Sequence, residues 1–278
     1  MKPYFEGWYH KLQKGGDAVA FIQGVAADGA FIQVISRDGS RRFSYPKEAY
    51  RRYGDTVIVG RSVFSPWGMR LRVNDGLWGD VAYGNSTTTR GGIMGPLRWL
   101  PLECRHGVVS LRHVLDGGLH MDGRAVDFTG GAGYIESDRG VSFPHSYFWV
   151  SCSDLPGGGA VMAAVADVPV GPLSFRGCVA AVAAAGGGAQ ERQYRLATYS
   201  GARIERCDAR GIRLRQGRRV LEVGLLPWRG HPLAAPAGGE MRRTITECIA
   251  CRGRVRFTDG ERVTIDAVSK NISVEYMP

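Results

Sequence analysis

Lysine is scarce in this chain. Only Lys2, Lys11, Lys14, Lys47 and Lys270 occur, so the formal charge of +10, from 36 basic and 26 acidic residues, is carried almost wholly by arginine. No apolar run approaches the roughly 18 residues a membrane-spanning helix requires, and the opening residues carry no apolar signal core. The expectation is a cytoplasmic protein. Long helical periodicity is nearly absent as well. The glycine runs lack the company that phosphate sites need: no Lys-Ser/Thr follows Gly186-Gly187-Gly188, and Gly130-Gly131-Ala132-Gly133 lies between two strand-like runs. Of the six cysteines, only Cys248 and Cys251 have ligand-like spacing, without a second pair or nearby histidines, so reduced thiols and no metal are expected.

What is present is strand grammar. At 278 residues with 44% hydrophobic content, the chain can bury a sizeable core. From Ala18 to Ser36, alternating runs flank Asp28-Gly29 and read as a hairpin. Asp-Gly pairs at Asp38, Asp75, Asp116, Asp122 and Asp259 predict further turns, and Pro46 to Tyr53 predicts one short helix. The class is therefore all-β, antiparallel, with few short helices, and closed barrels are a natural way to remove sheet edges. Two barrels fit the length: residues 1–130 and 131–278, divided in the turn-rich stretch from Phe128 to Gly133.

The arginines occur as pairs or alternate with apolar residues, as in Arg70-Leu71-Arg72-Val73 and Arg254-Val255-Arg256-Phe257. That is the solvated face of a strand. No nucleic-acid partner is expected, since no recognition motif accompanies them, although peripheral contact with an anionic membrane surface is compatible with the charge.

One stretch, Gly133 to Val150, crowds two carboxylates, a histidine and five aromatics together. In extended backbone Tyr134, Glu136 and Asp138 share one face, and His145, Tyr147 and Trp149 share one. Phe143-Pro144 between them predicts a corner joining two short strands.

Two blocks resemble one family. Pro3-Tyr4-Phe5-Glu6-Gly7-Trp8-Tyr9 is similar to the start of tocopherol cyclase-like proteins. Ile93-Met94-Gly95-Pro96, Leu102 to Ser110, Gly133 to Asp138 and Ser142-Phe143-Pro144 resemble the family's central signature. The resemblance runs through most of the chain and is shared more distantly with carotenoid hydratases and lipocalin-like pericyclases. It implies two lipocalin-like β-barrels, a hydrophobic or prenylated small-molecule substrate, no cofactor, and acid-triggered closure of a prenylated hydroquinone to a chromanol.

Such closure needs a carboxyl group kept protonated near neutral pH and aromatic faces for the tertiary cation. Glu136 and Asp138 are the candidate acids, with Glu6 next. His145 or His113 could orient the phenol or take its proton, and Tyr4, Trp8, Tyr134, Tyr147 and Trp149 could form the walls. The alternatives stay open: Glu136 and Asp138 beside Arg139 could form an exposed turn, and Glu103 and His106 a structural pair. A barrel that carries a hydrophobic molecule without chemistry fits the same residues. Arg139, Ser151 and Ser153 depart from the family, which commonly has tryptophan, glutamine and asparagine there. If Arg139 lines the pocket, the substrate is more polar or anionic; if it points outward, the pocket is unchanged.

Overall fold

In the computed structural model, residues 4–73, 76–89, 91–170, 173–184 and 192–278 are described. Asp75 of the expected Asp75-Gly76 turn and the Gly186-Gly187-Gly188 loop lie outside them. The first sheet holds β1 (Phe5–Lys14), β2 (Asp17–Ala26), β3 (Gly29–Ser36), β4 (Ser40–Tyr45), β5 (Tyr50–Tyr53), β6 (Thr56–Val59), β7 (Ser62–Ser65), β8 (Gly68–Val73), β9 (Leu77–Thr87), β10 (Cys104–Met121), β11 (Arg124–Asp127) and β12 (Ala132–Gly140). The second holds β13 (Tyr147–Leu155), β14 (Gly159–Val170), β15 (Leu173–Ala184), β16 (Arg192–Ala197), β17 (Arg203–Asp208), β18 (Gly211–Gln216), β19 (Arg219–Leu225), β20 (His231–Ala237), β21 (Glu240–Asp259) and β22 (Arg262–Met277). All described pairings are antiparallel. This is the expected all-β, two-part, lipocalin-like fold, with only 3-10 turns besides.

Each sheet curls round its own apolar interior. In the first, Leu12, Phe21, Ile32, Phe64, Leu71, Leu115 and Ile135 meet in one cluster; in the second, Phe148, Val161, Val182, Leu214, Val255 and Phe257 do. A third cluster lies between the sheets, where Tyr9, Tyr134 and Leu111 of the first meet Trp149, Met162 and Ile249 of the second. The alternation of β1, β10 and β12 thus serves two cores at once, odd and even positions facing different interiors.

Several sequence expectations change. The sheets exchange between Gly140 and Tyr147, because β12 still pairs with β1 and β10 of the first sheet; it lies beyond the expected division at 130/131. Asp116-Gly117 is not a turn but the middle of β10, where Gly117 takes φ 125° and a Cβ would strike the carbonyl of Asp80 on β9. Pro46 to Tyr53 gives a 3-10 turn, Lys47–Ala49, and then β5, since the four residues Tyr50 to Tyr53 pair with β6. The corner between two strands is found, as is the hairpin of β2 and β3.

Gly24 of β2 pairs with Gly7 of β1, and a Cβ on Gly24 would press on the Glu6 carbonyl and stand 2.9 Å from both Gly7 Cα and the Phe31 ring. Gly24→Ala is therefore expected to destabilise the fold by about 1–3 kcal/mol. A urea denaturation curve with lowered midpoint and unchanged slope checks it.

Candidate active site

Asp138 and His106 are Cα partners across β12 and β10; Tyr9 of β1 is opposite Glu136. All four side chains leave the first sheet on the face that meets the second. There they border a cavity of about 190 Å³ at the junction. Phe5, Tyr9, Phe31 and Gly7 line it from the first sheet; Tyr147, Trp149, Phe175 and Glu275 line it from the second, with Phe143 from the corner. Gly7 is open on this side, for a Cβ there would meet nothing within 4 Å. The walls are aromatic: Tyr9 packs edge-on to Trp149 at 5.6 Å, and Phe143 edge-on to Phe5 at 5.6 Å and Tyr147 at 6.1 Å.

Glu136 is 6% exposed. Its Oε2 accepts hydrogen bonds from the Tyr134 hydroxyl and from Trp149 Nε1 at 3.0 Å. Burial pushes its carboxyl up to about 8, against the opposing charge of His106 and with the help of Asp138. His106 Nδ1 lies 2.9 Å from Asp138 Oδ1, and its Nε2 lies 3.7 Å from Glu136 Oε2. Burial works against the imidazolium, but the Asp138 and Glu136 carboxyls outweigh it and raise His106 to about 9. The site thus joins a histidine whose charged form its neighbours favour to a carboxyl, Glu136, whose charged form burial disfavours.

Two further carboxyls complete the cluster, and neither was anticipated. Glu275 is raised to about 7 by burial and accepts the Tyr147 hydroxyl at 2.7 Å. Glu247, its cross-strand partner, is fully buried, accepts the Tyr9 hydroxyl at 2.6 Å, and is held well above the carboxylate range by burial and by Glu275. The signal was available: Glu247 interrupts the inward phase of Ile245, Ile249 and Cys251, where a carboxylate needs a partner or a purpose.

Other expected residues lie elsewhere. Glu6 projects from the opposite face of β1, where Tyr50 donates to it at 2.7 Å and Arg52 Nη1 reaches both its oxygens at 3.0 Å. That is a structural ion pair, and Tyr4 and Trp8 accompany it, although Trp8 also borders the cavity. His145 is exposed in the corner, outside the cavity lining; among the described residues only its carbonyl is engaged, by Arg243. His113 is buried in the first sheet's interior, 3.0 Å from Ser110 Oγ and tilted against the Tyr83 ring at 4.2 Å, and burial lowers it to about 3. Arg139 is exposed and faces away from Asp138. Ser151 and Ser153 are buried on β13 but do not line the cavity. Glu103 does not pair with His106; its carbonyl instead accepts the Val141 N–H at 2.7 Å.

His106, Glu136 and Asp138 bring their ligand atoms within 4.8 Å of one another, enough to hold a metal ion. Ligand atoms of all three are already engaged in hydrogen bonds. Glu136 Oε2 already accepts two donors and His106 Nδ1 is joined to Asp138, so an ion would have to displace those bonds.

The fold and the site together define a two-sheet lipocalin-like protein with a carboxyl-lined cavity at the junction. No protein-family model matches the chain, and no curated protein matches it in sequence. Solved structures share the fold. CghA with Sch210972 is similar at 10% identity and a TM-score of 0.61, over 99% of this chain and 88% of that one. Kievitone hydratase from Nectria haematococca is similar at 10% identity and 0.53, over 99% and 89%. A candidate AttH from Nitrosomonas europaea is similar at 13% identity and 0.54, over 98% and 92%.

Asp138→Asn removes the largest of the charges that hold the imidazolium against burial. The His106 titration followed by NMR is expected to move down from about 9. Because the folded-state value is raised, the stability His106 contributes is fully present below about 6.5 and lost as pH rises through about 9. The variant should lose that part of the pH slope in chemical denaturation.

Proposed function

We propose that the protein is a general-acid catalyst of cyclisation, hydration or isomerisation of an alkene-bearing hydrophobic small molecule, needing no cofactor. The observation that carries this reading is the buried carboxyl of Glu136 bordering an aromatic cavity, where burial raises it, with the His106–Asp138 pair beside it. The fold is shared with a protein named a hydratase and with one solved with a small molecule, which supports an enzyme of this kind. The resemblance to tocopherol cyclase-like proteins supports a prenylated phenol as the finer substrate class.

In the cyclisation, the Glu136 proton passes to the less substituted alkene carbon and leaves a tertiary cation. The faces of Tyr9, Tyr147 and Trp149 stabilise that charge. The phenol oxygen then bonds to the cationic carbon, and its proton returns to the Glu136 carboxylate, so no electrons are gained or lost. In a hydration, water takes the place of the phenol. His106 is already protonated at neutral pH, so it acts through charge: it stabilises the Glu136 carboxylate between the two proton transfers. Trp149 and Tyr134 fix Oε2 by hydrogen bonds and leave Oε1 to carry the proton.

Incubation with prenylated hydroquinones in deuterated buffer tests this directly. One deuteron should appear on the carbon next to the new ether carbon, and Glu136→Gln should cut turnover about 100-fold or more. Since the acid must be protonated, the rate should fall as pH rises through about 8. Binding without label gained would instead indicate a carrier.

Gly7→Ala adds a carbon on the open side of the cavity, where it meets nothing within 4 Å. It is expected to weaken ligand binding while leaving the thermal midpoint unchanged or raised, which calorimetry with and without ligand would show.

A further inference from the structure

Many arginines on the strands of this protein are neutralised across the sheet. Arg70 and Arg72 share Asp80 at 3.3 and 2.6 Å, Arg213 and Arg215 share Glu205, and Arg254 and Arg256 share Asp266 at 2.6 and 3.6 Å. Arg105 and Arg139 are not, and they stand together. They are direct Cα partners across β10 and β12, so their side chains stand on one face, and neither has a carboxylate partner among the described residues. Like charges placed directly opposite destabilise a sheet. On its other side Arg139 is the Cα partner of Glu6 of β1, whose carboxylate is engaged by Arg52.

Both line a basin of about 660 Å³. Its other charges are accounted for. Arg52 is committed to Glu6 and, at 4.0 Å, to Asp55; Asp138 is committed to His106. Arg98, over the Trp99 ring at 4.9 Å, joins the pair as a third guanidinium without a carboxylate partner among the described residues. The basin shares Trp8, Met94, His106 and Asp138 with the lining of the aromatic cavity, so the two adjoin. The cavity alone, at about 190 Å³, is smaller than the roughly 300–1,000 Å³ common for ligand sites. A molecule that fills a site of the common size and reacts at Glu136 extends beyond it.

We propose that Arg105 and Arg139, assisted by Arg98, bind an anionic group, a carboxylate or a phosphate, carried by the molecule whose apolar part occupies the aromatic cavity. The proposal rests on the reading of that cavity as a substrate site and adds the polarity of the substrate. Guanidinium forks match either anion through paired N–H donors.

The test is equilibrium binding of farnesol, farnesoic acid and farnesyl monophosphate to the whole chain at low salt. Wild type should bind at least one of the two anions about tenfold or more tighter than farnesol, the better of them naming the group. Arg105→Gln with Arg139→Gln should reduce that affinity to the level of farnesol. Both positions are exposed, so folding is not at stake. Farnesol bound with no preference for either anion, or a preference the double variant keeps, overturns the anion site and leaves the cavity reading intact. Absence of binding by all three overturns both.

Discussion

The carboxyl groups of Glu136, Glu247 and Glu275 are withdrawn from water where the two sheets meet, and the cost of charging them there sets the chemistry of the junction. Each is raised above the ordinary carboxylate range chiefly by burial. Each also keeps a hydroxyl donor, from Tyr134, Tyr9 and Tyr147 respectively, so that none is left without a hydrogen bond. A sheet junction built for stability alone would place apolar side chains at these positions. A store of neutral acid beside an apolar cavity is what protonation of an alkene demands.

The scaffold delivers this by strand alternation. On β12, Tyr134, Glu136 and Asp138 face the second sheet while Ile135 enters the first interior. On β10, His106 faces the junction and Arg105 faces away. The same two strands therefore present an acid site on one side and an unneutralised arginine pair on the other, within a few residues. A shift of register by one residue would exchange the two, which is why the glycine contacts of β1 and β2 matter to the site as well as to stability.

Much of this was legible in the sequence. Alternation and Asp-Gly turns specify an antiparallel all-β chain, and a carboxylate pair in phase with Tyr134 points to Glu136 and Asp138. The misses have physical reasons. Asp116-Gly117 has the chemistry of a turn, but only the close approach of β9 explains glycine inside a strand. Glu6 sits in an apolar strand for a partner, Arg52, that is distant in sequence. Glu247 and Glu275 enter the cluster only through pairing of β21 with β22 and packing of the second sheet on the first. His145 follows a proline and ends in an exposed corner, whereas His106 is drawn in by its register with Asp138.

The central claim is that Glu136 is neutral at pH 7 in the folded protein. Infrared difference spectroscopy of wild type against Glu136→Gln reads this from the carbonyl stretch of a protonated carboxyl. The account predicts a band at pH 7 that is present in wild type, missing in the variant, and lost from wild type as pH rises through about 8. Spectra in which the two proteins carry the same protonated-carboxyl signal at pH 7, differing only in a carboxylate band, would contradict it.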